Sequence, residues 1–192
     1  GGSVTMLYTP EGVINLQGRY TINEGEMKYT LPIIPLKTFT IHNGSYIEFT
    51  GNPTNPVLNV AATERVRAAV GQSDGSSRSV AFDTGLKITN SLDNMGLAFT
   101  IEAPEGFEYS WTKQEDRSKV ISTDRTLSVP ANDTTTYYCK VDYIGMKGCG
   151  FELSTLVQPR IPFADFDVKW EPQGCKNRVV LTNKSCVHTK VD

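Results

Sequence analysis

Apolar and polar residues alternate along most of the first hundred positions. In KTFTIHNGSYIEFTGNPTNPVLNVAA, residues 37–62, Phe39 and Ile41 point one way and Thr38, Thr40 and His42 the other. Ile47 and Phe49 likewise oppose Tyr46, Glu48 and Thr50. Upstream, Ile14, Leu16, Tyr20 and Ile22 share a face, as do Met27, Tyr29 and Leu31, and downstream Leu58 and Val60 continue the pattern. A period of two predicts strands with one apolar and one wet face. The breaks at 9–12, 23–25, 43–44 and 51–53 all carry turn chemistry. Asn43-Gly44 between two alternating runs predicts a β-hairpin with a type I′ turn, because both residues tolerate positive φ. Residues 61–70, AATERVRAAV, have helix-forming composition, yet Leu58, Val60, Ala62 and Val66 keep one parity and predict a long strand. Two more strands follow at 80–89 and 97–103, around a turn at 90–94. The fold class is all-β.

The character changes near Pro104-Glu105-Gly106. Trp111 lies in a strand, FEYSWTK, and Tyr137 precedes Cys139 by two positions in TTTYYCKV. That spacing is similar to an immunoglobulin-type sandwich, in which a buried tryptophan and a tyrosine before the second core cysteine are hallmarks. The first core cysteine is absent from the region of Leu97 to Ile101, so either an apolar residue takes its place or the chain is joined at Ile101-Glu102-Ala103-Pro104-Glu105-Gly106. From residue 161 a further β segment begins, too short to bury a core by itself.

Composition narrows the partners. Lys and Arg number 19 against 21 Asp and Glu, with no basic run or aromatic-basic interleaving, so nucleic acid is not an expected partner. No apolar run approaches the roughly twenty residues of a membrane span, and Gly1-Gly2-Ser3 lacks a leader's basic start, so the chain reads as part of something longer. The four cysteines, Cys139, Cys149, Cys175 and Cys186, all lie in the last third. They allow three pairings; the most local joins Cys139 to Cys149 and Cys175 to Cys186, as staples of an oxidising compartment. Zinc is disfavoured because no Cys-x-x-Cys pair exists and His188 is the only nearby histidine.

Catalytic chemistry finds little support. Asp83-Thr84-Gly85 matches the loop of aspartic proteases, in which paired aspartates share a proton, but nothing else of such a fold is visible and a strand-end turn is the expectation. His42 and His188 have no nucleophile in a recognisable elbow, and His42 reads as a solvent-facing strand residue. Glu24 with Glu26, and Asp165 with Asp167, read as wet strand faces without the further ligands a calcium loop needs. The expected protein is therefore not an enzyme and carries neither metal nor cofactor.

The pieces GRYTINEGEMKYTL, KTFTIHNGSYIEFTGNPTNPVLNVAA and RSVAFDTGLKITNSLDNMGLAFTIEAPE resemble the C-terminal domain of the TamB family of cell-envelope translocation and assembly proteins. The resemblance implies a long antiparallel sheet curled into an open, taco-like trough over residues 1–104. Its apolar lining would be Ile14, Leu16, Tyr20, Ile22, Met27, Tyr29, Leu31, Phe39, Ile41, Ile47, Phe49, Leu58 and Val60. It also implies a periplasmic setting, an anchor in the inner membrane, a partner β-barrel of the Omp85 type, and outer-membrane protein biogenesis or protein secretion, or movement of phospholipid acyl chains, as the function. Residues 105–160 resemble Ig-like modules, and 161–192 a partial PKD-like module, of Bacteroidetes surface proteins, including gliding-motility-associated ones. That second resemblance implies the alternative of a cell-surface adhesin.

Overall fold

The computed structural model describes residues 1–31, 34–71, 75–158, 166–173 and 176–183, with side chains described for 1–27, 38–71 and 75–158. The all-β expectation holds: strands dominate, all pairings are antiparallel, and the sheets are not closed into a barrel. Gly1–Pro159 form one compact unit and Arg160–Asp192 a second. Within the second, β14 (Phe166–Gln173) pairs antiparallel with β15 (Lys176–Asn183), Trp170 opposite Val179.

The first unit contains two sheets. The larger takes β1 (Gly2–Tyr8), β2 (Ile14–Ile22), β3 (Glu26–Leu31), β4 (Ile34–Ile41), β5 (Ser45–Gly51), β6 (Val57–Gly71), β7 (Ser77–Ser91), β8 (Gly96–Glu102) and β11 (Thr126–Pro130). The smaller runs in the order β10 (Asp116–Ser122), β9 (Phe107–Lys113), β12 (Thr135–Tyr143), β13 (Met146–Val157). The boundary expected near residue 104 falls inside this unit, where the chain crosses from β8 in one sheet to β9 in the other, with Gly106 at φ 92° in the turn. The segment expected to form its own Ig-like sandwich instead supplies four strands to the smaller sheet, while its β11 pairs with β8. Its packing partner is the first sheet.

The larger sheet is a meander with one irregularity. β5 pairs with β2 on one side and with β6 on the other, and β4 pairs with β3 and with the same edge of β6. Ile41 lies opposite Ala62 and Tyr46 opposite Asn59, so the chain runs straight on from β4 into β5 with two extra residues bulged out. Asn43-Gly44 is therefore not the expected hairpin. The Ser45 N–H donates to the His42 carbonyl at 3.2 Å, and only Gly44, at φ 87°, takes positive φ, which suits a type II rather than a type I′ turn. β2 and β3 are likewise two pieces of one line, interrupted at residues 23–25. The two interruptions lie side by side and are stitched by Gly44 N–H to the Ile22 carbonyl, 3.2 Å, and Ile41 N–H to the Gly25 carbonyl, 2.8 Å. The long strand expected through 61–70 is present as β6.

Candidate functional site

Residues directly opposite one another in an antiparallel pair share a face. Following such pairs, with steps of two residues along each strand, traces one face across the larger sheet. Met6 faces Leu16 and Leu16 faces Gly51; Tyr20 faces Ile47, Ile47 faces Leu58, and Leu58 faces Asn90. Val60 faces Ile88, Ile88 faces Leu97 and Leu97 faces Val129. Ile41 shares the face through Ala62, and Met27 through Phe39. The expected lining residues Ile14, Leu16, Tyr20, Ile22, Ile47, Phe49, Leu58 and Val60 thus occupy one side of one sheet, as do Met27, Phe39 and Ile41. Tyr29 pairs with Lys37 and Leu31 with Ile34, but their side chains lie outside those described. Gly18 belongs to the same face, with φ 129°, and a side chain there would collide with the Ser3 carbonyl of β1.

The face divides into a covered and an uncovered part. Over β4, β7, β8, β11 and the second half of β6 lies the smaller sheet. Phe39, Phe82, Leu86, Phe99, Ile101 and Leu127 meet Trp111, Tyr137, Val141 and Val157 in one buried cluster. Phe82 stacks on Phe151 with ring centroids 4.5 Å apart. Each large side chain buried this way contributes about 1.5–3 kcal/mol. Two hydrogen bonds fix the cover: Trp111 Nε1–H donates to the Asp124 carbonyl at 2.9 Å, and the Ala103 N–H donates to Tyr109 Oη at 3.1 Å. Among the expected lining residues, Phe39 is 4% exposed and Val60 8%, so both are core, and Met27 and Ile41 pack against the cluster.

Over β1, β2 and β5 the same face is open. Met6 is 65% exposed, Tyr8 69%, Ile14 45% and Tyr20 52%, with Leu16, Ile22, Ile47, Phe49 and Leu58 half-buried beside them. No charged side chain interrupts this part. Charge sits on the reverse side, where Arg19 pairs with Glu48 at 3.1 Å and lies 4.1 Å over the Tyr46 ring. Val4, Met6 and Tyr8 were not among the expected lining residues, although their alternation in β1 is the same signal.

The other expectations resolve as follows. Cys139 and Cys149 are free thiols. Cys139 is buried opposite Trp111 and Leu153, whereas Cys149 lies four positions from Leu153 along β13. At about 3.4 Å per residue that is roughly 14 Å, far beyond disulfide reach. The hairpin bridge is therefore not formed. Burial pushes the Cys139 thiol up to about 12, outweighing a hydrogen bond from the Ser110 backbone and helped by the Glu152 carboxylate. Cys175 and Cys186 lie outside the described residues, as do His188 and Asp165. Asp83-Thr84-Gly85 sits in the middle of β7 rather than at a strand-end turn, with Asp83 between Arg65 and Glu102. The sequence could not show this because Gly85 breaks the β signal yet pairs normally with Thr63 and Thr100. His42 is exposed and its Nε2 lies 2.9 Å from Thr63 Oγ1. No group of three His, Cys, Asp or Glu side chains among the described residues is arranged to hold a metal ion.

An all-β meander with a one-sided apolar face is the geometry onto which comparison with known families falls. The model of the TamB C-terminal domain matches residues 1–136. The chain belongs to the TamB family. The TamB match runs past residue 104, through β9, β10 and β11, to the start of β12. Neither curated proteins nor solved structures gave a match. TamB proteins are translocation and assembly factors of the cell envelope that work with the outer-membrane assembly machinery; they are not a class of enzyme. No helix among the described residues is long and apolar enough to cross a membrane.

Proposed function

We propose that the open face of β1, β2 and β5 receives lipid acyl chains in the periplasm, in the service of outer-membrane protein biogenesis, protein secretion or phospholipid transport. The full-length protein in this reading is anchored in the inner membrane and works with an Omp85-type barrel. The observation that supports it is the uncharged apolar row from Val4, Met6 and Tyr8 through Ile14, Leu16 and Tyr20 to Ile47 and Phe49, left uncovered. An acyl chain needs a continuous apolar path and no directional bonding. Each methylene it shields from water is worth on the order of 0.8 kcal/mol. An apolar surface of this extent in water otherwise marks an interaction site or an aggregation hazard.

The test places a photo-crosslinking residue at Leu16 in the native envelope and identifies adducts by mass spectrometry. Leu16 serves better than Ile41, which packs against the core. Lipid adducts are the expected result. Adducts confined to this chain or to other proteins would overturn the lipid reading and favour a structural or adhesive role at the cell surface.

A further inference from the structure

The face that leads from Met6 to Val129 is continuous in sequence pattern but not in access. Two features coincide where access ends. One is the paired interruption at residues 23–25 and 42–44; such breaks bend and twist the strands that carry them. Before it, Leu16, Tyr20 and Ile47 are open or half-open; beyond it, Met27 and Ile41 pack against the core and Phe39 is part of it. The other is the edge of the smaller sheet, which closes over Ala62, Leu86, Phe99 and Ile101. At the seam Ser45, itself buried, replaces the missing ladder contact: its Oγ accepts from the Ala61 N–H at 3.1 Å and donates to the Ala61 carbonyl at 3.4 Å.

We infer that the four-stranded sheet is a fixed cap on the apolar face, so that acyl chains occupy only the bay of β1, β2 and β5 and end at the Ser45–Val60 seam. The inference rests on the acyl-chain reading above. Its physical ground is an imbalance. A lipid tail that displaced the cap would only replace one apolar cover by another, with no net gain in apolar surface removed from water, and would leave the cap's own apolar row bare. Separating the sheets would expose Trp111, Tyr137, Val141, Phe99 and Ile101 and break the Trp111–Asp124 bond. A tail therefore has nothing with which to drive the cap off. The cap then sets how far a tail runs along this part of the protein, and a tail must leave the face at the seam.

The test uses the chain with photo-leucine in place of leucine, mixed with vesicles of phosphatidylethanolamine and phosphatidylglycerol, irradiated and mapped by mass spectrometry. The leucines already sample both sides of the seam, so no core substitution is needed. The expected result is lipid adducts on Leu16 and Leu58 and none above background on Leu86, Leu97 and Leu127. Leu7, exposed on the opposite face of β1, reports indiscriminate labelling. Adducts on Leu86, Leu97 and Leu127 at the level of Leu16 would overturn the cap while leaving the acyl-chain reading standing. Labelling of Leu7 equal to that of Leu16, or no adducts at all, would overturn the acyl-chain reading and the cap with it.

Discussion

Tyr20 and Phe99 lie on the same face of the same sheet, linked by cross-strand pairs and by the step from Leu58 through Val60 to Ala62 along β6, yet the first is half exposed and the second buried. Their strands do not differ in kind, since both alternate apolar and polar residues. What differs is the layer opposite. Over β8 stands a second sheet whose own apolar row fills the space; over β2 stands no described strand of the same unit. An apolar row therefore specifies a surface to be covered without specifying by what. A row covered within the chain works as core, and one left open is available to something else.

The largest expected effect breaks the covered half. Trp111→Ala empties the centre of the cluster and removes the bond to Asp124, and should cost about 3–5 kcal/mol in denaturant unfolding. Tyr20→Ala, a comparable loss of an aromatic ring from the open half, should stay within about 0.5 kcal/mol. Equal costs would mean that β2 is covered in solution and the two halves are alike. A chemical contrast follows the same line. Cys149, only partly buried, should react with iodoacetamide in the folded protein, and Cys139 only after unfolding. Because the Cys139 thiol is held near 12 in the fold against an ordinary 9.0, the unfolded chain gives up its proton first as pH rises. Its contribution is then intact below pH 9.0 and declines from there towards 12. The parent should lose stability more steeply than Cys139→Ala between those limits; parallel slopes would show that the thiol is accessible.

The seam itself can be weakened. Ser45→Ala removes the hydroxyl that satisfies the Ala61 N–H where β4 gives way to β5, and should cost about 1–3 kcal/mol. Hydrogen exchange at Ala61 should rise with it. Unchanged exchange would show that β6 keeps its pairing there without the side chain.

Much of the open face was legible because period two is a local property: Leu16, Tyr20, Ile47 and Leu58 each announce their side by their neighbours. The Asn43-Gly44 break was also visible, but its meaning was not. A dipeptide that permits a hairpin permits a bulge equally well, and the choice is made by β6, whose single edge accepts both Ile41 and Tyr46 in one direction. β3 instead pairs back antiparallel on β4, Leu31 opposite Ile34, a pairing that the Asn-Gly signal overshadowed. The cover was hidden for a different reason. Trp111, Tyr137 and Cys139 read as the core of a separate module, which they would be in a chain where β11 stayed with its neighbours. The pairing of β11 with β8, Leu127 opposite Phe99, brings that module into the first sheet's ladder, and long-range pairing leaves no mark in local periodicity.

The smallest prediction probes how well the cover fits. Between the sheets remains a cavity of about 50 Å³ lined by Phe39, Leu86, Phe99, Ile101, Trp111 and Thr155 among others. The Thr155 side chain is buried on the core side of β13, opposite Tyr137, and its Oγ1 has no hydrogen-bond partner. A buried hydroxyl left unpaired carries a desolvation penalty of about 1–3 kcal/mol, and an isosteric methyl carries none. Thr155→Val should therefore stabilise the protein by about 1 kcal/mol, a rise in Tm of about 2–4 °C for a domain of this size. Thr126→Val on the outer face, where the hydroxyl meets that of Thr100 at 2.9 Å in solvent, should gain nothing. The cavity exceeds the roughly 10–15 Å³ that one water needs. A loss of stability in Thr155→Val would thus mean that water occupies the cavity and bonds the hydroxyl, so that the covered half is wetter at its centre than its apolar lining implies.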